Sequence, residues 1–212
     1  MSKNDYKKIQ DATPFSKSGI LTAEFEKSVN RSSDIPNDSR AEFCIVGRSN
    51  VGKSSFLNHV LSSRDLARVS KRPGTTQCAN LFVLNDRSRW IDLPGYGFAF
   101  APHDATNQWA GLIDDVCMAR PALKGILWLL DVRHPGMKQD IQAYEWLMQR
   151  ELPVLPIITK CDTLTNNKVR QQLKLFYDFF TFDQSPVLSS VKTNDSRMAF
   201  YKTYTLWRKK TG

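Results

Sequence analysis

One segment constrains the fold of this chain more than any other: Gly47–Ser54, which reads Gly-Arg-Ser-Asn-Val-Gly-Lys-Ser. It fits the spacing Gly-x-x-x-x-Gly-Lys-Ser and lies between the apolar run Phe43–Val46 and the amphipathic stretch Ser54–Leu61. Gly47 and Gly52 allow the backbone to curl so that successive amides point at one anion, and the helix start adds partial positive charge. The segment therefore predicts a strand, a phosphate-binding loop and a helix, in that order.

Apolar runs alternate with amphipathic stretches along the rest of the chain. This alternation predicts an α/β fold in which crossover connections place helices on both faces of a mostly parallel sheet. Six strands are expected, from the runs Phe43–Val46, Leu81–Leu84, Arg89–Ile91, Ile126–Leu130, Val154–Ile158 and Val187–Leu188. Helices are expected at Ser54–Leu61, Ala105–Met118, Lys138–Gln149, Asn167–Phe180 and Ser196–Trp207.

The first part of the chain has a different composition. Residues 1–40 are polar and are broken by Pro14, Gly19 and Pro36, so we predict an extension, with Ala23–Val29 as a candidate edge strand. Residues 41–212 are expected to form one domain.

Composition excludes several classes of protein. The longest apolar run, Ile126–Leu130, is far shorter than the roughly 20 residues that cross a bilayer. The amino end is polar and resembles no secretory signal, so we expect a cytoplasmic protein with no membrane contact. Four cysteines form no Cys-x-x-Cys pair, which argues against a zinc site and favours small buried apolar residues.

The chain carries a net charge of +9, and its basic residues cluster. Lys192–Lys210 holds six basic residues against the single acid Asp195. A second cluster consists of Arg64, Arg68, Lys71 and Arg72. Such surfaces attract polyphosphates and nucleic acid, but an ordinary solvated face has the same composition, so charge alone leaves both interpretations open.

Two loops predict how a phosphate chain and its metal are held. Lys53 can reach the outer phosphates, and the hydroxyl of Ser54 can bind magnesium. The sequence Asp-Leu-Pro-Gly follows a later strand, where Asp92 can hold a magnesium-bound water and the Gly95 amide can meet the outermost phosphate. A plain turn would also fit this tetrapeptide, but its position after the phosphate loop favours the metal role.

The base is expected to be guanine. Asp162, in Thr159-Lys160-Cys161-Asp162, can accept two hydrogen bonds from the ring N–H and exocyclic amine of guanine, a donor pair that adenine lacks. Lys160 can lay its alkyl stem along the base. Amides of Ser189–Lys192 could meet the guanine carbonyl oxygen. A helix cap at Asp162 is the alternative interpretation of this loop.

The order of these motifs resembles translation-factor-type GTPases, and is closely similar to the EngB family of bacterial ribosome-assembly GTPases. The phosphate loop, Pro73–Gln77 of a first switch, Asp92–Gly97 of a second switch and Asp131–Pro135 carry the resemblance, which covers residues 40–207. Two positions depart from the pattern, Thr75 in the first switch and Cys161 in the base loop. The resemblance implies a Ras-like P-loop GTPase fold over 41–212, with GTP or GDP and Mg²⁺ as ligands.

The motifs and the resemblance together assign residues to roles. Catalytic roles are expected for Lys53, Thr76 and Gly95. Nucleotide contacts are expected from Gly47, Arg48, Ser49, Asn50, Val51, Gly52, Lys53, Ser54, Ser55, Gly74, Thr75, Thr76, Asp92, Gly95, Thr159, Lys160, Asp162, Ser189, Ser190 and Val191. Magnesium is assigned to Ser54, Thr76 and, through water, Asp92, and Asn50 is a candidate potassium ligand.

Hydrolysis without a partner is expected to be slow. Tyr96 follows Gly95 where Ras-like enzymes place a water-orienting glutamine, and a phenol cannot present an amide to water. Tyr96, Phe98 and Phe100 alternate in the second switch, where exposed rings could dock a partner.

The resemblance implies a monomeric switch that acts on the large ribosomal subunit or its precursor and is needed for normal cell division and septation. Two other classes are weighed against it. An ATPase or small-molecule kinase would have no use for Asp162. A basic RNA-binding assembly protein with a vestigial nucleotide site would not depend on Lys53.

Overall fold

The computed structural model describes residues 22–62, 78–96, 114–117 and 120–211. The strands are β1 (Ala23–Val29), β2 (Ala41–Gly47), β3 (Ala79–Leu84), β4 (Ser88–Asp92), β5 (Leu123–Asp131), β6 (Val154–Thr159) and β7 (Val187–Leu188). The helices are α1 (Lys53–Val60), α2 (Lys138–Met148), α3 (Asn166–Phe179) and α4 (Asn194–Thr211), with 3-10 turns at Ser32–Asp34 and Cys161–Thr163. Residues 114–117 are also helical.

The strands form one mixed sheet in the order β1-β3-β4-β2-β5-β6-β7. The pairs β4–β2, β2–β5, β5–β6 and β6–β7 are parallel, whereas β1–β3 and β3–β4 are antiparallel. Because the parallel strands run the same way, the loops that follow β2, β4, β5, β6 and β7 all leave from one edge of the sheet. This edge carries every predicted nucleotide contact in the described part of the chain.

The sheet has seven strands where the apolar runs predicted six. The additional strand is β1, the candidate edge strand, which pairs antiparallel with β3 so that Phe25 lies opposite Phe82. Only Val29 of its seven residues is buried. A half-exposed edge strand alternates in polarity instead of forming a continuous apolar run, which is why the run count missed it.

Helices cover both faces of the sheet, as the alternation predicted. On β5, Ile126, Trp128 and Leu130 belong to the core shared with α2 and α3, whereas Leu127 and Leu129 belong to the core shared with α1 and α4. Successive strand residues point to opposite faces, so a continuous apolar run is the pattern of a strand buried on both sides.

The predicted helices agree with the structure to within a residue or two, except at two places. α4 extends from Asn194 to Thr211, beyond the predicted Ser196–Trp207, because its polar ends continue the helix past the apolar stripe. Of the predicted Ala105–Met118, only residues 114–117 lie among those that the structure describes, and these are helical.

A buried ionic network, here called the Arg89 network, joins the segment before β2 to the sheet. The fully buried Arg89 donates to Glu26 (2.8 Å), Asp38 (2.7 Å) and Glu42 (3.0 Å). Arg120 donates to the other oxygen of Glu42 at 2.6 Å. These contacts attach β1 and the loop after it to the starts of β2 and β4. The network lies at the sheet edge opposite the nucleotide loops.

The four cysteines are free. Cys44 and Cys117 are buried as predicted, whereas Cys78 and Cys161 are only half-buried. Within the described ranges, no helix is both long and apolar enough to cross a membrane.

Candidate nucleotide-binding site

The predicted phosphate loop connects β2 to α1, between a strand buried on both faces and a helix whose inner face is apolar. Gly52 has a φ of +103°, in the left-handed region where a side chain would be strained. The N–H of Val51 donates to the carbonyl of Arg48 at 3.0 Å, which closes the turn. The backbone therefore curls as an anion-binding loop requires.

Lys53 and Asp92 meet at the end of this loop. The ammonium of Lys53 lies 3.2 Å from one carboxylate oxygen of Asp92, and both side chains are largely buried. That oxygen accepts no hydrogen bond from the described residues. A buried carboxylate at this position, near the first turn of α1 that carries Ser54, fits a magnesium ion that takes its other ligands from phosphate and water.

The described residues hold no cluster of three His, Cys, Asp or Glu side chains that could bind a metal by themselves. A site with one carboxylate and one hydroxyl therefore depends on phosphate oxygens to complete the coordination of magnesium. Ser54 is half-buried and the neighbouring Ser55 is exposed.

The start of the second switch is fastened to the phosphate loop. The hydroxyl of Ser49 donates to the carbonyl of Gly95 at 3.4 Å, and the N–H of Tyr96 donates to the carbonyl of Gly47 at 3.2 Å. A Cβ on Gly95 would lie 2.8 Å from the nitrogen of Ser49, so only glycine fits there. The structure thus brings Gly95 against the phosphate loop, where the predicted contact with the outermost phosphate would be made.

Tyr96 does not have the exposed ring expected of it. Its side chain is 2% exposed, and its hydroxyl donates to Asp140 at 2.7 Å while accepting from the indole N–H of Trp128 at 2.9 Å. Burial is the main cause that raises the pKa of the Tyr96 phenol well above its usual value. The ring is turned into the core because Asp140 offers it a buried acceptor. Phe98 and Phe100 lie outside the described residues.

The predicted base loop is tied to the phosphate loop. The hydroxyl of Thr159 donates to the carbonyl of Val51 at 2.7 Å, and the ammonium of Lys160 donates to the carbonyl of Asn50. Lys160 has a φ of +59°, which turns its side chain back over the phosphate loop. The two ends of the predicted nucleotide site are therefore held together by direct hydrogen bonds.

Asp131, at the end of β5, holds the side chain of Lys160 by an ion pair. Its carboxylate accepts from Lys160 at 2.9 Å and from the guanidinium of Arg133 at 2.7 Å. Burial alone would raise the pKa of Asp131, but these hydrogen bonds outweigh burial and lower it. The sequence points to Asp131 only through the family resemblance, and its position at the end of a buried strand is the signal for this role.

Asp162 lies at the rim of the site, 14% exposed, and forms an ion pair with Lys192 at 3.5 Å. The main chain fixes its loop, since the N–H of Cys161 donates to the carbonyl of Ser189 at 3.1 Å. The exposed Lys192 can move aside, so the carboxylate of Asp162 is available to a base that offers two donors.

The structure narrows the expected contact with the guanine carbonyl to one amide. The N–H of Ser189 already donates to the carbonyl of Ile158, and the N–H of Ser190 donates to the hydroxyl of Ser196, each at 2.7 Å. The N–H of Lys192 donates to the hydroxyl of Ser190 at 3.2 Å. Val191 is exposed and follows them directly. Its amide, which donates to no described residue, is the donor that remains for the base.

Several predicted residues lie outside the part of the chain that the structure describes. These are Gly74, Thr75 and Thr76 of the first switch and the basic cluster Arg64, Arg68, Lys71 and Arg72. Their roles stay predictions. The role of Asn50 in binding potassium also stays a prediction; this residue is exposed at a φ of +63°.

Comparisons with known proteins agree with this geometry. A family model described as 50S ribosome-binding GTPase matches residues 42–160. The probable GTP-binding protein EngB of Pelotomaculum thermopropionicum is 35% identical over 190 residues, covering 89% of this chain and 96% of that protein. Its namesake from Geobacillus kaustophilus is 39% identical over 156 residues, covering 74% and 80%.

Solved structures share the fold. A probable GTP-binding protein EngB superposes with a TM-score of 0.66 at 20% identity, covering 80% of this chain and all of that one. The selenocysteine-specific elongation factor EF-Sec superposes with a TM-score of 0.60 at 16% identity, covering 82% of this chain and 30% of that one. The phosphate loop, the base loop bonded to it and these relatives together show that the chain belongs to the EngB family of GTP-binding proteins and has the P-loop GTPase fold.

Proposed function

We propose that this GTPase is a nucleotide-dependent switch that acts in the cytoplasm, as a monomer, in assembly of the large ribosomal subunit. The observation that carries the proposal is the match of residues 42–160 to a family described as 50S ribosome-binding GTPases. By the resemblance to the EngB family, loss of the switch is expected to disturb cell division and septation.

The charge of the surface supports a ribosomal partner. The exposed lysines Lys202, Lys209 and Lys210 lie on α4, and Lys192 lies in the loop that precedes it. Arg197, on the same helix, donates to the hydroxyl of Ser62 at 2.8 Å and so connects α4 to the end of α1. Basic side chains release counterions from phosphate when they meet RNA, which favours association.

The position of Tyr96 supports slow hydrolysis without a partner. Because its hydroxyl is occupied in the core by Asp140 and Trp128, it cannot orient a water molecule at the outer phosphate. A partner or a cation would then have to supply that group. Magnesium is proposed to be held by Ser54 and, through water, Asp92, where its charge would stabilise the phosphates during transfer.

Sedimentation with ribosomal particles tests the proposal. With a non-hydrolysable GTP analogue, the protein is expected to pellet with large-subunit particles, and with GDP it is expected to stay in the supernatant. The same comparison with the Lys53→Ala variant is the control, because this variant should respond to neither nucleotide. Equal association with both nucleotides would contradict a switch and would favour a basic RNA-binding protein with a vestigial site.

A further inference from the structure

A buried polar cluster, here called the Asp140 cluster, lies behind the nucleotide loops and consists of Asp140, Tyr96, Trp128 and Arg48. Asp140 is in the first turn of α2 and is 1% exposed. One of its carboxylate oxygens accepts from the Tyr96 hydroxyl at 2.7 Å. The other lies 4.0 Å from the guanidinium Nε of Arg48.

A carboxylate in this position is costly to keep. Burial is the main cause that raises the pKa of Asp140 to about 6, although the hydrogen bond from Tyr96 and the charge of Arg48 act to lower it. An apolar side chain would fill the same space without this cost. The two groups that Asp140 contacts, however, belong to the phosphate loop and to the second switch, which suggests that the cluster serves the site.

The connection to the reacting phosphate is short. Tyr96 is the neighbour of Gly95, and its N–H is bound to the carbonyl of Gly47 in the phosphate loop. Gly95 in turn is packed so closely on Ser49 that no Cβ would fit. Tyr96 is therefore held beside Gly95 at both its backbone and its hydroxyl.

We propose that Asp140 is a positioning residue for GTP hydrolysis, which holds Gly95 through Tyr96, and the phosphate loop through Arg48, in the arrangement that receives the outer phosphate. The proposal rests on the GTPase activity and on the role predicted for Gly95, and is independent of the ribosomal partner. Since GDP has no outer phosphate, the link from Asp140 through Tyr96 to Gly95 should affect turnover of GTP and leave the affinity for GDP unchanged.

The Tyr96→Phe variant tests this directly, because it removes only the hydroxyl. We expect kcat for GTP to fall about tenfold, the effect of losing one hydrogen bond to a charged group, with KM and the Kd for GDP within about twofold of wild type. Asp140→Ala should lower kcat at least as much, since it also removes the contact with Arg48. The double variant should lose no more than Asp140→Ala alone, because both changes remove the hydrogen bond between Tyr96 and Asp140.

The chain offers a matched control in the other core. Tyr204→Phe removes a hydroxyl that also accepts from a buried tryptophan, at 2.9 Å from the indole nitrogen of Trp90. It should lower the unfolding temperature and leave kcat unchanged. Wild-type kcat in Tyr96→Phe would overturn the proposal. A weakened affinity for GDP in proportion to kcat, or an equal loss of kcat in Tyr204→Phe, would also overturn it, because each is what a purely structural role produces.

Discussion

The Lys53→Ala variant is expected to bind GTP and GDP about 100-fold more weakly than wild type, or worse, because truncating one partner of a buried charge pair costs about 2–5 kcal/mol. In the structure the ammonium of Lys53 is 14% exposed and 3.2 Å from Asp92. When the phosphates of a nucleotide enter the loop, they would replace Asp92 as the partner of the Lys53 ammonium. Without Lys53, both the phosphates and Asp92 are left with uncompensated negative charge.

Fluorescence titration with a labelled guanine nucleotide measures this loss. Lys174→Ala is the matched control, since Lys174 is an exposed lysine of α3 that is not among the predicted nucleotide contacts, and this variant should bind as wild type does. Unchanged affinity in Lys53→Ala would mean that the loop does not hold the phosphates, and would favour a vestigial site.

The Arg89→Ala variant is expected to lose about 3–5 kcal/mol of the free energy of unfolding, the usual cost of removing one partner from a buried ionic network. Arg89 is fully buried among Glu26, Asp38 and Glu42, so its removal leaves acidic side chains without their cation. The expected loss of stability is large because the variant leaves buried carboxylates without their cation. The intact network contributes far less than this to the free energy of unfolding. Urea unfolding at neutral pH measures the difference.

The pH dependence of unfolding gives a second readout. The hydrogen bond from Arg89 is the main cause that lowers the pKa of Asp38 from 3.8 to about 2. The stability that this provides is present above pH 3.8 and is lost as the pH falls through 2, so wild type should weaken across that window more than Arg89→Ala does. Arg170→Ala, on the exposed face of α3, should unfold as wild type. Equal stability of Arg89→Ala and wild type would show that the network contributes nothing.

Contiguous motifs made much of the site predictable. The phosphate loop, the acid after β4 and the base loop are each read from neighbouring residues, and a parallel sheet brings the ends of their strands to one edge. The apolar runs likewise predicted both faces of the sheet. What they missed was β1, whose half-exposed pattern is weaker than that of a buried strand.

The contacts that join distant residues were not predictable. Tyr96 and Asp140 are separated by 44 residues, and a tyrosine in a glycine-rich turn shows no preference for core or surface. The one signal was the polar Asp140 on the buried face of α2, in step with Ala143 and Leu147. Arg89 gave even less warning, because a charged residue within a strand is normally exposed.

The base loop shows how the structure narrows a predicted contact. The sequence offered four consecutive residues, Ser189–Lys192, as donors to guanine. The amides of Ser189, Ser190 and Lys192 already donate to Ile158, Ser196 and Ser190, so the choice falls on Val191. Which amide stays available depends in part on the Ser196 side chain of α4, which accepts from the Ser190 amide. The spacing of residues in the sequence does not reveal such a contact.

Calorimetric titration of the magnesium-supplied protein with GTP, and separately with ATP, tests the central claim most directly. The account predicts saturable heat with GTP and binding of ATP weaker by about 100-fold or more, because adenine leaves the carboxylate of Asp162 without its pair of donors. Absence of heat with GTP, or equal affinity for the two nucleotides, would contradict it.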